Sequence, residues 1–110
     1  MKGYSKYRAI KTEIDGIKFD SIKEAKRYQE LKLMERAGNI KDLRLQVPYV
    51  LIEKSKYGQA IKYLADFVYF DNDKNKEIVE DTKTGPTATP LYKLKKRLLA
   101  ERYGIEVFEL

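Results

Sequence analysis

The chain is predicted to be an α/β domain: a mixed central β-sheet flanked by helices, with an N-terminal β-hairpin. Three observations predict it. An Asp15-Gly16 pair separates two short alternating runs, as in a hairpin turn whose two central residues need positive φ. Two stretches of helical periodicity end at glycines, Gly38 and Gly104. Between and after them lie extended runs rich in aromatic and β-branched residues. Strands interleaved with helices in this way fit a mixed sheet with helices against it. At 110 residues the chain suits one domain with a modest core.

Met1 to Lys6 reads as a loose basic leader. Tyr7 to Ile14 forms the first strand and Ile17 to Asp20 the returning one. Ser21-Ile22-Lys23-Glu24 then has the spacing of a capping box, opening a helix that runs to Ala37. Ala25, Tyr28, Leu31 and Met34 make its apolar stripe at ~100° per residue. Glu24 falls inside that stripe. It either completes the cap or reaches into a site beneath the first turn, and spacing alone leaves both open.

Ile40 to Glu53 is extended, with Pro48 marking an edge position or a break, since proline donates nothing to a ladder. Gln46 is either a solvated strand residue or an amide able to hold a water or a phosphate oxygen. Lys54 to Gln59 is a turn, and Ala60 to Phe70 a long aromatic strand carrying Asp66. Asp71-Asn-Asp-Lys-Asn75 resembles the start of a calcium loop. It lacks the glycine at the sixth place and the glutamate at the twelfth, and reads as a hairpin turn. Glu77 to Lys83 is the next strand, followed by a Thr- and Pro-containing connector, Thr84 to Pro90. In the helix Leu91 to Tyr103, Leu91, Leu94 and Leu98 form the expected core face. Lys93, Lys96 and Arg97 are placed on a basic back, while Lys95 and Arg102 must snorkel, pair or meet a ligand. Ile105 to Glu109 is a last short strand.

Composition narrows the chemistry. Cysteine and histidine are both absent, which removes disulfides, thiolate and imidazole metal ligands, and the usual nucleophile and general base. A bound metal would have to be held by oxygens, favouring magnesium or manganese. No run approaches the ~18–20 apolar residues of a membrane helix and no secretory signal opens the chain, so a cytoplasmic location is the default. The net charge of +6 suits a polyanion such as DNA, although basic proteins without such a partner are common.

Asp66 and Asp81 each interrupt an apolar strand, and Lys83 follows two residues after Asp81. Residues two apart on a strand share a face about 6–7 Å from each other, so Asp81 and Lys83 project together and Glu80 and Thr82 oppose them. Ionised groups inside such strands are costly unless paired, hydrogen-bonded or bound to metal. Two carboxylates holding one or two magnesium ions, with a lysine beside them, suffice for phosphodiester hydrolysis. The metal lowers the pKa of a bound water and stabilises the leaving oxygen, and the lysine orients that water or shields developing charge. Thr82, facing away, would offer only its backbone carbonyl to the metal.

Asp66, then Asp81-Thr82-Lys83, preceded by helical Glu24, resembles the PD-(D/E)XK nuclease superfamily. Phe19-Asp-Ser-x-x-Glu-Ala, Gln46, Ala65-Asp66-Phe67 and the lysine-rich helix before Tyr103-Gly104-Ile105 are similar to small phage and prophage endonucleases related to Holliday-junction resolvases. Ala65 stands where the superfamily's proline would be, and Asp81 replaces its commoner glutamate. The resemblance implies a restriction-endonuclease-like fold and a magnesium- or manganese-dependent endodeoxyribonuclease. Asp66, Asp81 and Glu24 would be metal ligands with Thr82, Lys83 the catalytic lysine and Gln46 an accessory residue. It also implies branched DNA as substrate, with Lys93, Lys96 and Arg97 contacting it. A homodimer would make the two cuts, in the host cytoplasm for a phage enzyme. The rival readings are a non-catalytic nucleic-acid-binding module and a structural phage protein with a degenerate nuclease fold.

Overall fold

In the computed structural model, residues 11–82 and 89–110 are described. Eight elements follow in order: β1 (Thr12–Ile14), β2 (Ile17–Phe19), α1 (Ile22–Arg36), β3 (Ile40–Ile52), β4 (Ile61–Asp71), β5 (Lys76–Asp81), α2 (Pro90–Tyr103) and β6 (Val107–Glu109). β1 and β2 form a two-stranded antiparallel hairpin. The other four make a mixed sheet in the order β3-β4-β5-β6, antiparallel except for the parallel pair β5–β6. Among the described residues no helix is long and apolar enough to cross a membrane.

The hairpin turns as expected, with φ of 55° at Asp15 and 77° at Gly16. Its strands are shorter than expected, three residues each; the leader and residues 7–10 lie outside the described residues. α1 opens at Ser21, whose side chain accepts from the Glu24 amide at 3.1 Å, satisfying one of the helix's orphan donors. Gly38, at φ 87°, then lets the chain turn into β3. Pro48 does not break β3. It pairs with Leu64 within one 13-residue strand at the edge of the sheet, the position a proline tolerates. Asp71 to Asn75 is a turn: Oδ1 of Asp71 accepts from the amides of Asp73 and Lys74 at 2.9 and 3.0 Å.

The sheet separates two apolar clusters. Phe19, Ala25, Tyr28, Leu31, Ile40, Phe67 and Tyr69 gather beneath α1, and Leu51, Tyr63, Ala65, Val68, Val79, Tyr92 and Leu99 beneath α2. Tyr63 and Ala65 belong with Val68, whereas Phe67 and Tyr69 belong to the α1 side. The alternation of β4 therefore slips by one residue beside Asp66. Across from the slip, Gln46 takes a φ of 51°.

α2 corrects the expectation for its faces. Leu91 and Leu94 are 60% and 54% exposed, while Tyr92 and Leu99 are buried. Lys96 lies on the buried side too, with Nζ 3.0 Å from Glu109 and 5.5 Å above the Tyr92 ring. The tyrosine face wins because its polar tips find partners on β6: the Tyr92 hydroxyl donates to Glu109 at 2.8 Å. Arg102 pairs as anticipated, donating to the Leu51 carbonyl at 3.0 Å and reaching Glu53 at 3.4 Å.

Candidate functional site

Four of the residues singled out in the sequence meet in one hydrogen-bonded chain. Glu24 comes from the first turn of α1, Gln46 from β3, Asp66 from β4, and Thr82 from just beyond the end of β5. The Gln46 amide nitrogen donates to Glu24 Oε2 at 3.0 Å and to Asp66 Oδ1 at 3.3 Å, so one carboxamide bridges two carboxylates. The other Asp66 oxygen, Oδ2, accepts from the Thr82 amide at 3.0 Å and its hydroxyl at 2.9 Å. Both acids are buried, Glu24 at 6% exposure and Asp66 at 3%. Glu24 is thus a site carboxylate: Ser21 alone supplies the side-chain cap, and the glutamate reaches inward.

Local backbone irregularity builds this geometry. The slip in β4 and the left-handed Gln46 face each other across the β3–β4 ladder, between the pairs Leu45↔Phe67 and Val47↔Ala65. A non-glycine residue at positive φ costs about 1–3 kcal/mol and persists where its surroundings over-determine it. Thr82 departs from the expected orientation. It lies past the last residue of β5, where strand alternation no longer applies, and its side chain turns to Asp66.

Asp81 is 1% exposed and directed to the α2 side, where the Tyr63 hydroxyl donates to its Oδ2 at 2.6 Å. One step beyond the pair Phe67↔Glu80, it follows the ladder to the position across from Asp66. Burial first, and the bond to Asp81 second, push the Tyr63 hydroxyl far above its ordinary pKa, so it remains a donor at physiological pH. Lys83 lies outside the described residues.

A second polar cluster, absent from the sequence reading, lies beside the first. Glu80 is fully buried and takes two bonds from Arg27, Nε to Oε1 at 2.8 Å and Nη2 to Oε2 at 2.6 Å. Its Oε2 also accepts from the Tyr69 hydroxyl. The bond to Glu80 is the main influence holding the Arg27 guanidinium above its usual pKa, while burial and then Glu80 raise that of Tyr69. The signal was available: Glu80 interrupts the same apolar strand as Asp81.

Of the cations placed at a DNA surface, Lys96 is engaged with Glu109 and Arg97 lies 3.8 Å from Glu101 on the next turn; Lys93 is exposed. The donors around Asp66 are all oxygens apart from the Gln46 amide, whose hydrogens bring partial positive charge between the two carboxylates. Among the described residues no three acids stand close enough together to hold a metal ion by themselves. Magnesium is commonly held by one or two carboxylates, with waters and a substrate phosphate completing its shell, so Glu24 and Asp66 suit it chemically.

Fold and site together define a small α/β protein with a mixed four-stranded sheet and a buried carboxylate–carboxamide centre. The chain belongs to the family described as "Protein of unknown function (DUF1064)", whose model matches residues 4–107. No curated protein and no solved structure matches it.

Proposed function

We propose that the chain is a metal-dependent endodeoxyribonuclease with a restriction-endonuclease-like fold. It hydrolyses phosphodiester bonds in branched DNA such as Holliday junctions, acting as a homodimer in phage recombination or replication. The observation that carries this reading is the bridge from Gln46 to Glu24 and Asp66, with Thr82 fixing the remaining oxygen of Asp66. Side chains from α1, β3 and β4 and from the end of β5 converge there on oxygen donors suited to a hard cation. It fits the resemblance of the ordered acids to the PD-(D/E)XK pattern.

Glu24 and Asp66 would hold magnesium or manganese, with Asp81 and Thr82 alongside; the ion supplies Lewis-acid polarisation of the phosphate and a more acidic water. Thr82 sets the orientation of the Asp66 carboxylate. Gln46, once its amide is released from the two acids, can hold a phosphate oxygen or a water. Lys83 is the candidate to shield developing negative charge.

The test compares labelled four-way, flapped and single-stranded DNA with magnesium or with EDTA. Cleavage of branched DNA is expected only with magnesium. Asp66→Asn and Asp81→Ala are each expected to lower it by about 10²-fold or more, leaving DNA affinity within a few-fold. Undiminished cutting by pure Asp66→Asn protein removes the proposal. The second reading is a non-catalytic DNA-binding module. It is favoured by the lack of a three-acid group among the described residues, and predicts salt-sensitive binding without cleavage.

A further inference from the structure

β4 is longer than the strand beside it. β5 pairs with Phe67 to Asp71, so among the described residues Ile61 to Asp66 has only β3 as a ladder partner. The β3–β4 hairpin thus continues past β5 as an arm. One face is covered by α2 through Leu51 and Tyr63; on the other, Ile52 and Leu64 are 47% and 51% exposed.

At the tip of this arm stands Tyr57, 88% exposed and the most exposed large apolar residue described. It is held in place nevertheless. Ser55 and Gly58 exchange backbone bonds at 3.0 and 3.2 Å around a two-residue turn, and the Ser55 hydroxyl accepts from the Tyr57 amide at 3.1 Å. The Lys56 ammonium lies 5.2 Å from the ring centre. Lys54, Lys56 and Lys62 surround the ring, and none is paired with an acid among the described residues. The one acid nearby, Glu53, faces Arg102. An aromatic ring fixed in water and ringed by cations has the chemistry of a base-stacking platform, in which the ring takes a base face and the lysines the flanking phosphates.

We infer that the β3–β4 tip is a nucleic-acid finger. Tyr57 stacks on an unpaired DNA base, and Lys54, Lys56 and Lys62 hold the backbone on either side. The inference deepens the nuclease reading by assigning the feature of branched DNA that is recognised, namely the unstacked bases at or near the branch. At ~3.3 Å per strand residue the tip lies roughly 20 Å from Asp66, about six nucleotides of a strand at ~3.4 Å each. The finger therefore governs binding and placement, not bond cleavage.

Binding is measured by fluorescence anisotropy in EDTA, where no metal-dependent cutting occurs. The probes are a duplex with a three-base unpaired bulge and a blunt duplex of equal length. Tyr57→Ala should weaken binding to the bulged duplex by about tenfold or more and leave the blunt duplex within twofold, and Tyr57→Trp should restore it. Equal affinities of wild type and Tyr57→Ala for the bulged duplex overturn the inference, as does an equal loss on both DNAs or no binding by wild type. A tip that serves a protein partner instead gives the first of these results. Selective binding without any cleavage in magnesium would sink the nuclease reading and leave the finger standing, whereas cleavage with an indifferent Tyr57 does the reverse.

Discussion

Glu80 shows how a buried charge is tolerated in the middle of a sheet. Its two oxygens are consumed by Arg27 and Tyr69, and none of its surface meets water. Removing one partner of such a pair leaves the other uncompensated, which costs far more than the pair contributes when intact. Arg27→Ala is therefore expected to destabilise the fold by about 3–5 kcal/mol, and the double variant Arg27→Met, Glu80→Leu to recover most of that loss. Urea denaturation of the three proteins decides it. At this scale the sequence showed which residues are unusual more readily than what they touch. Glu24, Asp66 and Asp81 stood out as acids in apolar settings. The turn of Thr82 towards Asp66 and the slip beside Asp66 did not, because both depend on where a ladder ends or loses register.

Among the elements, α2 is the one whose sequence misleads. Leucines at 91, 94 and 98 give a cleaner apolar stripe than Tyr92, Lys96 and Leu99, yet the sheet takes the second set. The reason lies outside the helix: the polar tips of Tyr92 and Lys96 are satisfied by Glu109, a residue remote in sequence. Leu99→Ala should cost about 2–5 kcal/mol, as for a buried leucine leaving a cavity. Leu94→Ala, at a half-exposed position, should cost no more than about 1 kcal/mol, close to the loss in apolar contact. Thermal melts of both variants test which face is inward. The other elements were legible because their signals are local: Asp15-Gly16 for the hairpin, Ser21 for the α1 cap, and the oxygens of Asp71 for the β4–β5 turn. Pro48 was legible as an edge marker, but the unbroken strand around it depends on pairing with β4.

For the molecule as a whole, acid stability depends on the junction where α2 meets β6. The Tyr92 hydroxyl first, and Lys96 second, hold the Glu109 carboxyl below its ordinary pKa of 4.5. Because the folded value is the lower one, the unfolded chain takes up this proton first. The stabilisation is complete above about pH 4.5 and is lost as pH falls through the folded value. Stability measured between pH 6 and pH 3 should fall less steeply in Glu109→Gln than in the wild type. The class of fold was readable from the order of strands and helices, but the parallel sense of β5 and β6 was not, since it follows from the crossing of α2.

That crossing has a consequence for biosynthesis. β3, β4 and β5 can zip together by neighbouring turns as they are made, but β6 joins only after the whole of α2 has been added. In the interval the outer rim of β5 offers unsatisfied amides and carbonyls to any passing chain, the situation in which nascent proteins self-associate. Three residues, Val107 to Glu109, close that opening and, through Glu109, fasten the helix that delivered them.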